Sequence, residues 1–406
     1  MVSSAIQLYK DAYSGLSRRI WLLGIVMLIN RSGTMVLAFM TLYIKSIGFS
    51  TRQGGFVVAI YGIGSVAGAF LGGKITDAVG FYYTQFTALF TGGIMFLLLG
   101  QMKSYEAICI CTFFLSLVNE SFRPANAAAI AHYSTVKNRT QSFSLVRLAI
   151  NVGWGIGVAV GGLLASINYH LLFWADGLTS ISAAIMLLVI LPKVTLHQQN
   201  QPSHKLQENG MQSTAYRDRE FLKFLVLTFL FATCFFQLFT TIPLFFKEGL
   251  HLDEFRIGVV MSVNGILIAA VEMVLVYKLE GRRPYLLLMA AGSLFMGIAF
   301  ILLNLPLVNG LMVAIISMLV ITLAEMIGMP FMNSYYIGRS NERNRGQYAG
   351  LYTMSWSLAQ VIGSGCGALL AAGIGFLKLW LIVGLICLLT AYGYFMLHKS
   401  TLPAHK

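Results

Sequence analysis

Charged side chains are scarce in this chain. Of 406 residues, 28 are Lys or Arg and 15 are Asp or Glu, together 11% of the sequence. Soluble globular domains carry about 25%. A water-exposed surface of this size needs more charge, so an ordinary soluble enzyme is excluded. Proline is also sparse, at 8 residues, which excludes a proline-rich or collagen-like chain. Cysteine is limited to Cys109, Cys111, Cys234, Cys366 and Cys387. Their number is odd, all lie in apolar runs, and none has metal-ligand or redox spacing. A disulfide scaffold is therefore excluded and no metal site is expected. The histidines fall near the ends of apolar runs or in loops. No G-x-x-x-x-G-K-[ST] loop is present, which removes ATP-driven pumping by this chain. No catalytic cluster is visible, no cofactor is implied, and an integral-membrane enzyme is the less favoured reading.

Apolar residues, by contrast, make up 57% of the chain, and mean hydropathy is +0.75. Asp, Glu, Lys and Arg are absent from 53–73, 81–102, 148–175, 177–192, 224–246, 284–324, 346–377 and 379–397. A membrane-crossing helix needs roughly 20 apolar residues. The longest runs must therefore fold back, at Asn304–Gly310, near Asn168–His170 and near Gly373–Gly375. Twelve spans follow, over about 20–45, 53–76, 82–101, 105–131, 141–167, 170–192, 220–246, 255–277, 284–303, 308–335, 347–373 and 376–397. The runs are continuously apolar and not alternating, which rejects β-barrel strands. The first run is followed at once by more spans, so no cleaved signal peptide is expected.

An even number of spans puts both termini on one side. Nineteen basic residues fall on that side, six on the other (Lys45, Arg52, Lys103, Lys247, Arg256, Lys378), and Arg31, Arg123 and Arg147 fall inside spans. The positive-inside rule places both termini in the cytoplasm. It also explains the net charge of +13 without nucleic acid. The polar segment 194–219 reads as a cytoplasmic linker between a six-helix bundle over 1–193 and a second over 220–406.

The two halves resemble each other. At an offset of 206, Asn138-Arg139-Thr140-Gln141 aligns with Asn344-Arg345-Gly346-Gln347, Gly157 with Gly363, Gly161 with Gly367, and Pro124 with Pro330. A six-span duplication accounts for this, and two parallel six-helix repeats are a transporter architecture.

The chain then resembles the major facilitator superfamily over essentially its whole length. Gly73-Lys74-Ile75-Thr76-Asp77-Ala78-Val79-Gly80-Phe81-Tyr82 resembles the signature G-x-L-x-D-R-x-G-R-R, with Ala78, Phe81 and Tyr82 at basic positions. Gly153 to Gly162 resembles the antiporter signature G-x-x-x-G-P-x-x-G-G, with Val158 in place of Pro. The resemblance implies an all-α membrane protein of two six-helix bundles, and points to the drug:proton antiporter branch. It implies that spans 1, 4, 7 and 10 line a central cavity. It further implies that spans 2, 5, 8 and 11 meet across the halves, and that Asp77 meets the start of span 11.

Glycines recur every fourth residue at Gly64, Gly68 and Gly72, at Gly153, Gly157 and Gly161, and at Gly363 and Gly367. Such spacing bares one helix face for close contact. Static packing is one reading. The other, favoured by the resemblance, is that these helices touch across the halves and slide.

Ionisable groups inside hydrocarbon are costly and mark function by default. Arg31 lies in the polar patch Asn30-Arg31-Ser32-Gly33-Thr34 of span 1. Glu120 and Arg123 share a face of span 4 and can pair with each other or with Arg31. Glu325 lies in span 10, with no basic residue at its depth in that half. Asn30, Arg31, Glu120, Arg123 and Glu325 are the candidates for the cavity and proton coupling. A structural ion-pair network is the alternative for the first half. Arg147 and Glu272 share a cytoplasmic depth in opposite halves; they either snorkel or form a latch. With Asp77, Gly73, Gly80, Gly157 and Gly161 they are the gating candidates. Asp176, beside Gly177, is assigned a packing role. Trp21, Tyr43, Trp174 and Trp380 are expected as interfacial anchors. Phe235, Phe236, Tyr352 and Trp356 lie deeper and form a candidate substrate surface.

The expected function is secondary transport by alternating access: proton-coupled export of a small lipophilic or amphipathic compound. Proton-coupled import of a small solute is the alternative. The expected setting is a bacterial inner membrane, with a monomeric chain.

Overall fold

A computed structural model describes residues 2–194, 214–305 and 309–401. Residues 195–213 of the expected linker lie outside the described residues. The described residues are helical, with no strand among them. The spans are Thr51–Val79 (span 2), Phe81–Leu99 (span 3), Tyr105–Tyr133 (span 4), Arg139–Ile167 (span 5), His170–Ile190 (span 6), Glu254–Leu279 (span 8), Tyr285–Leu302 (span 9), Gly310–Arg339 (span 10), Arg345–Ile374 (span 11) and Phe376–Thr401 (span 12). Spans 1 and 7 are each broken. Span 1 consists of Arg18–Ser32 and Val36–Ser46, and span 7 of Arg219–Phe235, a tight 3-10 turn Phe236–Phe239, and Thr241–Glu248. By length and composition, eleven candidate spans stand out among the described residues, and twelve when the bent pair Gln7–Tyr13 and Arg18–Ser32 counts as one.

Local chemistry fixes the starts. Ser17 accepts from Ile20 N–H, Ser104 from Ala107, Asp218 from Phe221 and Asp253 from Arg256. Ser50 and Gln53 form a reciprocal capping box at the start of span 2. Span 2 ends at Gly80, whose φ of 96° is the conformation glycine adopts without strain.

The described residues divide into two compact units. One holds residues 16–215 with 340–357; the other holds 1–15, 216–339 and 358–406. Within the first, span 2 packs on span 4, span 3 on spans 4 and 6, and span 1 on spans 5 and 6. Within the second, span 8 packs on span 10, span 9 on spans 10 and 12, and span 7 on span 12. The same pairing scheme, six spans apart, is the duplication seen in three dimensions.

Outward faces are apolar: Val189 is 78% exposed, Leu369 74% and Phe255 80%. A soluble protein does not display such bands; hydrocarbon tolerates them while helices satisfy the backbone internally. Trp21 and Trp174 are exposed, as anchors are. Tyr43 and Trp380 are not anchors. Tyr43 is buried against Tyr169, His170 and Phe173, and Trp380 against Phe245, Phe300 and Phe376.

The glycine stripes also require a correction, including Gly157 and Gly161 among the gating candidates. A Cβ on Gly64 would meet Phe113 O at 2.6 Å, and one on Gly72 would meet Ser121, both on span 4. One on Gly153 would meet Leu28 O at 2.7 Å, one on Gly157 Ser32 O at 3.0 Å, and one on Gly161 Met35 Cβ at 3.1 Å, all on span 1. Gly363 and Gly367 face Thr233 and Gln237 of span 7. These bare faces serve close packing inside a bundle. Four-residue spacing reveals a bare face but not the neighbour it receives.

A short N-terminal helix, Val2–Tyr13, precedes span 1 and is separated from it by a turn at Gly15 (φ 73°). It packs on span 8, where the Tyr9 hydroxyl donates to Ala270 O and Ala12 is fully buried.

Candidate functional site

The break in span 1 builds the site. Arg18–Ser32 stops at Gly33, and the helix restarts at Val36 after the three residues Gly33–Met35, so backbone N–H groups at the restart lack intrahelical partners. Asp176 of span 6 serves two of them, Met35 N–H and Val36 N–H. Its carboxylate accepts from Met35 N at 3.0 and 3.1 Å and from Val36 N at 2.8 Å. The side chain sits at a helix N-terminus, where the positive end of the dipole favours an anion. Gly33 makes this reachable, because a Cβ there would meet Asp176 Cα at 3.2 Å. Asp176 is 1% exposed.

Beside the break lies an internal cavity of about 40 Å³, room for two or three waters. Its polar lining comes from Asn30, Arg31 and Thr34 of span 1, Tyr61 of span 2, Asn119 and Glu120 of span 4, and Asp176 and Ser180 of span 6. Leu37, Leu89, Phe96 and Phe122 supply apolar walls. Asn30 Nδ2 donates to Ser180 Oγ at 3.3 Å. Arg31 Nε is buried and has no hydrogen-bond partner among the described residues.

Glu120 and Arg123 are joined at 3.1 Å, the i,i+3 pairing read from the sequence. Arg123 keeps 38% of its side chain uncovered, against 13% for Glu120, so the pair is open on the arginine side. Arg31 acts on Glu120 at longer range, without a direct bond. Tyr352, 8% exposed, lies within electrostatic reach of Arg123 and Arg147. It stacks at a tilt on Trp356, ring centroids 6.2 Å apart.

The first unit thus gathers Asn30, Arg31, Glu120 and Arg123, with Tyr352, Trp356 and Arg147 nearby. Phe235 and Phe236 belong to the second unit, where they cluster with Phe239 at 5.5 and 6.4 Å. Glu325 and Glu272 also belong there, each 2% exposed. Glu325 lies one helical turn beyond Thr322, whose hydroxyl takes a bond from Asn264 at 3.1 Å. Glu272 lies close to Tyr13 of the N-terminal helix. In span 7 the break is held by Gln237, which donates to Gly363 O at 2.8 Å and accepts from Thr241 Oγ1 at 2.6 Å.

At the C-terminal end of span 2, Asp77 accepts from Gly346 N at 2.6 Å and Gln347 N at 2.8 Å, the first turn of span 11. Gly73 and Gly350 let the two helices cross there; a Cβ on Gly350 would meet Gly73 Cα at 3.0 Å. Sequence reasoning missed Tyr61, Asn119 and Ser180 as cavity residues, and missed Asp176 as the partner of span 1. The available signal was the small, polar run Ser32-Gly33-Thr34 in mid-span.

Two broken lead helices in twice-repeated bundles, with charged groups facing an internal cavity, describe a transporter scaffold. The family model for the Major Facilitator Superfamily matches residues 20–364. The chain belongs to the Major Facilitator Superfamily. Among relatives, a Na(+), Li(+), K(+)/H(+) antiporter of Planococcus maritimus is 23% identical, over 90% of this chain and 92% of its own. Multidrug resistance protein 2 of Bacillus subtilis is 20% identical, over 83% and 84%. Quinolone resistance protein NorA of Staphylococcus aureus is 21% identical, over 81% and 83%. Among solved structures, the human organic anion transporter MFSD10 superposes with a TM-score of 0.76 at 16% identity, covering 93% of this chain and 99% of that one. A bacterial homologue of the iron transporter ferroportin gives 0.73 at 14%, over 94% and 100%. The chain is a multi-pass integral membrane transporter of the Major Facilitator Superfamily.

Proposed function

We propose that this transporter exports a small lipophilic or amphipathic compound in exchange for protons, by alternating access, in a bacterial inner membrane with both termini cytoplasmic. The observation that carries the reading is the Glu120–Arg123 pair beside Arg31, at a polar cavity inside an otherwise apolar bundle. A carboxylate paired on one side only can give up that partner as it takes a proton, which is what reversible coupling requires. Glu325, buried in span 10, is the corresponding acid of the other unit. Asn30, Arg31 and Arg123 orient the solute, and Phe235, Phe236, Tyr352 and Trp356 supply apolar surface. Asp77, Gly73 and Gly80, with Arg147 and Glu272, do the gating. The chain works as a monomer, without a cofactor.

Inorganic cation exchange is a second reading, favoured by the cation/proton antiporter among the relatives. Purified protein in proteoliposomes decides between them. Ethidium, norfloxacin, sodium and potassium are each offered with and without an imposed pH gradient. Gradient-driven movement of ethidium or norfloxacin supports export of an organic compound; movement of sodium or potassium alone supports cation exchange. Gradient-independent movement of all four overturns proton coupling.

A further inference from the structure

Asp176 is a buried acid that the proposed function does not use. It faces no basic side chain at bonding distance, and its oxygens go to backbone N–H groups of a different span. A carboxylate so placed carries a desolvation cost that a purely apolar contact would avoid. What it obtains is a fixed break: without an acceptor at the restart, the buried Val36 N–H is orphaned and Met35 N–H keeps only its bond to Gly33 O at 3.1 Å, and the helix satisfies both fully only by closing the gap. The break in turn decides where the residues just before it point. Asn30 and Arg31 end the first half-helix, and both line the cavity that Asp176 itself walls. A continuous helix would carry 100° of rotation per residue through Gly33–Met35 and would turn the downstream cavity residues Thr34 and Leu37 elsewhere.

We propose that Asp176 is the positioning residue of the cavity: by holding span 1 open at Gly33–Met35, it sets Asn30, Arg31 and Thr34 in the arrangement that binds and couples. This deepens the proposed function and rests on the reading that this cavity is the coupling site. Asp176 acts through span 1, by its bonds to Met35 N and Val36 N. Gln237 does the equivalent work at the break of span 7, using an amide in place of the acid.

The test combines a distance and a flux. Nitroxide labels are placed at Ile25 and Leu42, exposed on either side of the break, with Cys109, Cys111 and Cys366 replaced by alanine. An uninterrupted helix over those positions spans about 26 Å at 1.5 Å per residue. Asp176→Ala should add a population near that length or broaden the distribution, and Asp176→Glu, which keeps an acceptor, should restore most of the wild-type distribution. In proteoliposomes, pH-gradient-driven ethidium efflux should fall at least tenfold in Asp176→Ala. The loss should appear as a raised KM, and Asp176→Glu should recover part of it. An unchanged distance distribution in Asp176→Ala overturns the proposal, as does a changed distribution with unchanged KM and rate. Should wild type itself show no gradient-driven efflux, the coupling reading fails, while the label distances still decide whether Asp176 holds the break.

Discussion

Replacing Asp77 with asparagine isolates the charge at the start of span 11. The carboxylate bonds Gly346 N at 2.6 Å and Gln347 N at 2.8 Å, lengths typical of charge-assisted hydrogen bonds. A hydrogen bond to a charged group contributes about 1.5–3 kcal/mol. Asparagine keeps an acceptor for one N–H and turns its own N–H₂ toward the other, so one bond is lost. The favourable term between carboxylate and helix dipole, about 0.3–1 kcal/mol, goes with it. The neutral amide is cheaper to desolvate, which returns part of the loss. The net is about 2 kcal/mol, or roughly 30-fold in a two-state equilibrium. If the bonds exist in only one access state, Asp77→Asn depopulates that state by the same factor. Nitroxides at Val136 and Arg283, on the side that the proposed topology makes cytoplasmic, report the populations by pulsed dipolar spectroscopy. The expected result is a shift toward the longer, cytoplasm-open distance. A distribution identical to wild type would refute the argument, because the lost charge would then have no state dependence.

Other outcomes follow from the site and the packing. Glu325→Gln and Glu120→Gln should each retain ethidium binding and lose the gradient-driven part of transport; full gradient-driven flux in both would remove carboxylates from the coupling. Gly153→Ala should destabilise the detergent-solubilised protein by about 1–3 kcal/mol in thermal unfolding, because its Cβ would meet Leu28 O at 2.7 Å and Arg31 Cβ at 2.8 Å. Gly155→Ala, where a Cβ meets nothing within 4 Å, should leave stability unchanged; equal losses would count against backbone contact as the cause. Arg339→Lys should weaken the tie between the end of span 10 and the start of span 7, since it breaks the two-pronged bond to Asp218 at 2.7 and 2.9 Å; a thermal midpoint equal to wild type would show that the fork contributes nothing.

The twelve spans were legible because hydrocarbon length and charge exclusion act on every residue of a span. Boundaries such as Phe81–Leu99 and His170–Ile190 fall within three residues of those read from the apolar runs. The Glu120–Arg123 pair was legible because three residues on a helix define one face. The breaks were not. Asn30 to Thr34 interrupts span 1 and Gln237 interrupts Phe236–Phe239, but short polar stretches also occur in continuous helices, so they do not mark a break by themselves. The stop in span 1 is set by Asp176, more than 140 positions away, a tertiary partner that periodicity cannot name. Tyr43 and Trp380 misled because an aromatic near a span end serves equally at an interface or in a core. The N-terminal helix went unread because Lys10 and Asp11 give its sequence the look of a polar tail.

That helix has a consequence for biogenesis. It leaves the ribosome well before span 8, because the carbonyl it bonds, Ala270, lies 261 residues later. At about 5–20 residues per second, the wait is roughly 13–50 s. Throughout that interval span 1 can insert, while Ala12 and its neighbours have no protein surface to cover them. Docking of this helix must therefore wait until span 8 has been made. Nascent chains arrested before span 8 emerges should carry the helix undocked, with Ala12 open to thiol labelling as Ala12→Cys, whereas completed chains should protect it.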